Sequence, residues 1–189
     1  MSVPAALPMR STPLHHQNTP WSCCDPDFTA EFYQPYASAV ENAFLLLDDA
    51  RSRLSLESPG DAVRSITFRL KTPASIRGKL MKKRLPATVG AASACLQDVA
   101  GLRVVLSSVD AVYRFAALLK ASVFSQCIEE SDYIASPKKS GYRSLHLILR
   151  IPVCQCSVCR MLPVEIQLRT AAMDIWANIE HELCYKPVK

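Results

Sequence analysis

The stretch Leu162-Pro-Val-Glu165-Ile-Gln-Leu-Arg169-Thr-Ala-Ala-Met-Asp174-Ile-Trp-Ala-Asn178-Ile-Glu180-His181 changes periodicity part-way along. Val164, Ile166 and Leu168 alternate with Glu165, Gln167 and Arg169, which is a strand with one apolar and one polar face. From Ala171 to about Tyr185 the spacing becomes helical, with Ala172, Trp176, Ile179 and Leu183 on an apolar stripe and Asp174, Asn178, His181 and Tyr185 on another side. A polar row on a strand of a small sheet either faces solvent or lines a cleft.

Upstream, Leu145 to Val153 reads as a strand joined to Leu162–Leu168 through a short cysteine-rich hairpin. Before it come a turn at Pro137–Gly141, a strand from about Ser125 to Ala135, a helix over Val109–Ala121 and a buried strand over Leu102–Leu106. Pro73 opens a short helix over Ser75–Leu85, and Val63, Ile66, Phe68 and Leu70 mark the first strand. Phe32, Tyr36, Val40, Phe44, Leu47 and Leu54 recur at three- and four-residue spacing, predicting a long amphipathic helix from Asp27 to about Leu56 that ends at Ser58-Pro59-Gly60. The expected fold is α/β (α+β), a mixed sheet of about five strands with flanking helices.

The 189 residues suffice for one main core, and 49% hydrophobic against 21% charged residues describe a folded globule. Residues 1–26 show no periodicity and read as a disordered N-terminal tail, with His15 and His16 solvated in it; residues 27–189 form the domain. No membrane span or secretory signal is visible, so a cytoplasmic protein is expected. The net charge of +5 favours anionic partners without choosing among nucleotides, RNA and a membrane surface. Eight cysteines in a chain of this size read as reduced thiols, with Cys95, Cys127 and Cys184 among apolar neighbours. Cys154, Cys156 and Cys159 lack an adjacent fourth ligand, so a plain or redox-sensitive hairpin is expected over structural zinc.

Four segments carry chemistry. Arg64, Arg69, Lys71, Arg77, Lys79, Lys82, Lys83 and Arg84 form a basic block without an acid, at a strand-to-helix junction suited to phosphate or nucleic acid. Asp98-Val-Ala-Gly-Leu-Arg103 places a carboxylate before a strand; alone it reads as a capping Asp and a surface Arg. Pro137-Lys138-Lys-Ser-Gly-Tyr142-Arg-Ser-Leu-His146 packs cations, a ring and a histidine into one turn, able to cradle phosphate and stack on a base or to be an ordinary basic hairpin. The strand and helix quoted first supply the fourth.

Together, Arg69-Leu-Lys71, Ser75-Ile-Arg-Gly-Lys79-Leu, Asp98-Val-Ala-Gly-Leu-Arg103-Val, Asp132-Tyr-Ile-Ala-Ser-Pro-Lys138, Gly141-Tyr142-Arg-Ser-Leu-His146, Glu165-Ile-Gln-Leu-Arg169-Thr and Trp176-Ala with Glu180-His181 resemble the synthetase domain of the RelA/SpoT family, in its order and near its spacing. The single-domain small alarmone synthetases are the nearest look, and no His-Asp hydrolase motif is present. The resemblance implies a nucleotidyltransferase-like synthetase domain that moves the β,γ-pyrophosphate of ATP to the 3′-hydroxyl of GDP or GTP, giving ppGpp or pppGpp and AMP. It implies Arg69 and Arg103 beside adenine, Lys71, Ser75 and Lys79 on the ATP phosphates, and Asp98 on magnesium. It also implies Tyr142 stacked on guanine and Lys138 and His146 on the acceptor's phosphates. Glu165 becomes the general base or a metal-linked activator, with Gln167, Arg169, Asp174, Glu180 and His181 supporting the acceptor pocket.

Two readings compete: a relative that pyrophosphorylates the 3′ end of tRNA, and a silent RNA-binding or regulatory module. Retention of both Asp98 and Glu165, costly together without a cation, argues against the second. Tetrameric relatives continue into further helices beyond the position of Lys189, so a monomer is expected here, or a dimer paired through an exposed Phe32 and Tyr36.

Overall fold

The computed structural model describes residues 25–57, 62–155 and 158–185, apart from the side chains of residues 155, 181 and 183–185. His15, His16, the Ser58-Pro59-Gly60 stop, Cys156 and the side chains of His181 and Cys184 thus lie outside the described residues. In chain order the elements are α1 (Ala30–Glu57), β1 (Val63–Leu70), α2 (Pro73–Lys82), α3 (Val89–Cys95), β2 (Ala100–Leu106), α4 (Val109–Lys120), β3 (Gln126–Asp132), β4 (Leu145–Gln155), β5 (Val158–Thr170) and α5 (Ala171–Tyr185). Local chemistry sets the helix starts: the hydroxyls of Thr72, Thr88 and Ser108 accept from the backbone N–H groups of Ser75, Ala91 and Ala111, and Pro73 fills the first turn of α2.

The sheet is mixed and five-stranded, in the order β1-β2-β5-β4-β3, with β2 and β5 parallel and the other neighbours antiparallel. The last strand therefore lies at the centre. Its apolar residues Val164, Ile166 and Leu168 join Leu102, Val104, Leu106, Leu145, Leu147 and Leu149 in the core under α1 and α4. The alternate residues of β5 and β2 point to the opposite face, where α5 packs.

Several expectations are corrected. Helix α3 was not anticipated, because Val89-Gly-Ala-Ala-Ser-Ala-Cys95 has no apolar period to read. Strands β4 and β5 run on to the hairpin tip, which puts Cys154 opposite Cys159 with Cα atoms 4.1 Å apart, and the two form a disulfide rather than free thiols. Cys95, at the end of α3, is exposed instead of buried, and Cys127 is half-buried. Phe32 and Tyr36 sit in the core, within a ring cluster that includes Phe28, so they offer no surface for pairing chains. Asp25, on the tail side of the boundary read from the sequence, is ion-paired to Arg77. No helix among the described residues is long and apolar enough to cross a membrane.

Leu147 is fully buried in β4 on the core face. Truncating it to Ala is expected to cost about 2–5 kcal/mol, seen as a lower urea midpoint with an unchanged slope.

Candidate active site

The polar face of the sheet is assembled by register. Gly101 of β2 lies opposite Glu165 of β5, and Arg103 opposite Gln167. On the other side of β5, His146 of β4 lies opposite Gln167. Thr67 and Arg69 of β1 pair with Arg103 and Gly101. A cleft over β1, β2 and β5 is lined by Thr67, Arg69, Gly101, Arg103, Glu165 and Gln167. At Gly101 an added Cβ would lie 3.7 Å from the Glu165 carbonyl oxygen and 4.0 Å from its carboxylate, so glycine keeps the cleft floor low beside the acid.

At one end, Asp98 Oδ2 accepts hydrogen bonds from Lys71 Nζ and Lys79 Nζ, both at 2.6 Å. Burial acts to raise the Asp98 carboxyl, but the two ammonium groups outweigh it and the group titrates below its ordinary value. Its other oxygen, Oδ1, is buried without a partner. Lys71 is itself fixed through its backbone: its N–H donates to the Val99 carbonyl, and its carbonyl accepts from Tyr33 Oη at 2.7 Å. Burial pushes the Tyr33 phenol up to about 12, keeping it a donor. Ser75 stands in the first turn of α2 and accepts from the Thr72 hydroxyl at 2.9 Å. Arg77 does not join this group, because Asp25 and Asp27 hold it against the Phe28 ring at the start of α1.

The other end is a closed polar network around Arg169, which is only 3% exposed. Its Nη2 donates to Tyr142 Oη at 2.6 Å and to Gln167 Oε1 at 2.8 Å, its Nη1 to Asp174 Oδ1 at 3.2 Å, and its Nε to Ser144 Oγ at 3.3 Å. Tyr142 Oη lies 2.8 Å from His146 Nε2, His146 Nδ1 lies 3.2 Å from Glu165 Oε1, and Gln167 Nε2 donates to Glu165 Oε2 at 2.8 Å. Both ring nitrogens of His146 are thus engaged, Nε2 by the phenol and Nδ1 by the Glu165 carboxylate. Burial acts to raise the Glu165 carboxyl, Asp98 adds repulsion, and the His146 and Gln167 contacts outweigh both, holding it below its ordinary value.

Lys138, Tyr133 and Gly141 complete this end. Tyr142 is 9% exposed, and Lys138 Nζ lies over it and over Tyr133 at 4.8 and 4.5 Å from the ring centroids. Gly141, at φ 82°, makes the turn that brings Tyr142 inward, and a Cβ there would meet the Trp176 ring at 3.5 Å. Glu180 is half-buried further along α5, and no ion pair joins it to the arginines among the described residues.

Residues 68–189 match the family model described as a region found in RelA/SpoT proteins. The chain belongs to the RelA/SpoT family. GTP pyrophosphokinase YjbM of Bacillus subtilis is 37% identical over 155 residues, covering 82% of this chain and 72% of the relative. YwaC, another GTP pyrophosphokinase of that species, is 33% identical over 154 residues with the same coverage. The crystal structure of small alarmone synthetase 1 from Bacillus subtilis bound to its product pppGpp superposes with a TM-score of 0.74 at 37% identity, covering 82% of this chain and 78% of that one.

Within this RelA/SpoT domain, the sequence reading overlooked Tyr33, Ser144 and Tyr133. A serine and two tyrosines give no signal of their own; their partners become visible only when α1 reaches the β1–α2 junction and the turn before β4 folds under Arg169.

Asp98 and Glu165 both titrate below their unfolded-state values of about 4, so each adds stability that is complete above about pH 5 and lost as pH falls through the folded value. The urea midpoint is expected to drop between about pH 5 and pH 3, less steeply in Asp98→Asn than in the parent chain. Equal slopes would remove Asp98 from this account.

Proposed function

We propose that this chain transfers the β,γ-pyrophosphate of ATP to the 3′-hydroxyl of GDP or GTP, giving ppGpp or pppGpp and AMP. The observation that carries the reading is the convergence, on one sheet face, of a cationic end at Asp98, Lys71 and Lys79 with a carboxylate end at Glu165, His146 and Tyr142. The names of the relatives agree with it. The acceptor's 3′-oxygen forms a bond to the β-phosphorus of ATP while the bridging oxygen between the α- and β-phosphorus atoms leaves with AMP. The 3′-hydroxyl gives up its proton as this bond forms. Such a transfer needs position and charge compensation more than covalent help.

Lys71 and Lys79 exchange their shared carboxylate for phosphate oxygens, with Ser75 and the first turn of α2 adding donors. Arg69 and Arg103 line the cleft where the adenine would lie. Glu165, already ionised, receives the proton from the 3′-hydroxyl, and His146 holds its other oxygen in place. Magnesium fits the donor set: the unpartnered Asp98 Oδ1 and the nearby Glu165 are hard oxygen ligands, and this ion needs only one or two carboxylates beside phosphates and water. Bound there, it would neutralise phosphate charge. Guanine takes the place of the Lys138 ammonium on Tyr142, and Lys138 turns to the acceptor's phosphates. We place the reaction in the cytoplasm, where both nucleotides are found.

Release of AMP with formation of a 3′-pyrophosphorylated guanine nucleotide, followed by anion-exchange chromatography, tests the assignment; no product with GDP or GTP but product with deacylated tRNA would overturn it. Glu165→Gln is expected to lose about 10²-fold or more in turnover with ATP binding kept, whereas Asp98→Asn loses turnover and weakens magnesium-dependent ATP binding. Tyr142→Phe keeps the ring but removes the hydroxyl that joins Arg169 to His146, so it should raise the acceptor KM, though less than full truncation does. Tyr142→Ala should raise it about tenfold or more while the ATP KM changes less.

A further inference from the structure

We propose that Asp174 is a positioning residue that couples the donor and acceptor nucleotide subsites, by holding Arg103 of β2 and Arg169 of β5 on a single carboxylate oxygen. The inference rests on the functional reading above, in which Arg103 lies on the donor side and the Arg169 network on the acceptor side. Asp174 Oδ1 is 3.3 Å from Arg103 Nη1 and 3.2 Å from Arg169 Nη1. Two guanidiniums thus share one charge. Their mutual repulsion, added to burial, lowers the affinity of Arg103 for its proton, and Asp174 only partly restores it.

The two arginines are not equally satisfied. Arg169 bonds through Nε, Nη1 and Nη2, to Ser144, Asp174, Tyr142 and Gln167. Arg103 has a long contact of 3.4 Å from Nη1 to Asn178 Oδ1, and its Nε is buried with no partner although the residue lines the cleft. A donor nucleotide entering the cleft gives Arg103 the base and phosphate contacts it lacks, and so competes with Asp174 for it. With its other oxygen keeping a long contact of 3.5 Å from Asn178 Nδ2, Asp174 Oδ1 is then left to Arg169. That pair tightens, and with it the Arg169–Tyr142–His146 chain that shapes the acceptor side. By linkage the acceptor must tighten the donor by the same factor.

The test is calorimetry on the whole chain with magnesium, titrating GDP without and with saturating α,β-methylene ATP, whose bridge cannot be cleaved, and then reversing the order. The parent chain is expected to bind GDP at least about fivefold more tightly when the analogue is present, with the same factor in reverse. In Asp174→Asn that factor should fall below about twofold. A merely structural role would weaken both single affinities and leave their ratio alone, and an unchanged ratio overturns the proposal. Should Asp174→Asn fail to fold by thermal melting, Asp174→Glu replaces it. The longer arm is expected to change the ratio by about threefold or more, and no change would again overturn the idea. A parent chain that binds both nucleotides with a ratio of one sinks the coupling but spares the function, whereas one that binds neither sinks both.

Discussion

A guanidinium buried in the middle of a sheet dictates much of the rest of this molecule. Removing Arg169 from water is costly unless its fork of N–H donors is matched. The matching groups come from three separate pieces of chain: Tyr142 and Ser144 before β4, Gln167 on β5, and Asp174 in the first turn of α5. A slip of one residue in the β4–β5 register would turn Arg169 into the leucine core and Leu168 into the network. Gly141 belongs to the same constraint, since only a left-handed turn packed on Trp176 returns Tyr142 to the arginine.

The opposite end of the site is built on looser terms. Lys71 and Lys79 meet Asp98 as two point charges on one oxygen, a contact that phosphate can replace without moving the backbone. The strand end and helix start that carry them are fixed from beneath by Tyr33 and Val99. The basic block is therefore divided in its duties. Arg77 is spent on securing α1, the two lysines wait on a carboxylate, and Arg64, Lys82, Lys83 and Arg84 are exposed.

Periodicity revealed the polar row of β5, the long α1 and the final helix, because each repeats one pattern over enough residues to be read. It could not say which side of α5 faces inward. The apolar stripe is the outer one: Trp176 is 46% and Ile179 44% exposed, while Asp174 and Asn178 contact the arginines. The buried Arg169 and the half-buried Arg103 draw Asp174 inward, beside Met173 and the small Ala177. The same limit explains the misplaced Phe32 and Tyr36, whose apolar face was legible but whose covering partners were not. The disulfide needed the exact register of a hairpin whose strands run several residues beyond their apolar pattern.

The resting state of Glu165 also bears on how the reaction would run. A carboxylate held below its usual value by His146 is reliably ionised, and for the same reason a weak base. Substrates change that balance. In the proposed reaction, phosphates that drew Lys71 and Lys79 away from Asp98 would leave its charge uncompensated by those ammoniums and strengthen its repulsion on Glu165. The phosphates themselves add negative charge nearby, raising Glu165 further toward the range where a carboxylate accepts a proton usefully. A cation bound between the phosphates and Asp98 would offset part of this, so the net gain is set by how much charge two nucleotides bring beyond what the site can neutralise. In the proposed reaction, a net gain of negative charge would make Glu165 a stronger base with both substrates present than in the free protein, and so favour proton abstraction in the complex in which a 3′-hydroxyl and a β-phosphorus are aligned.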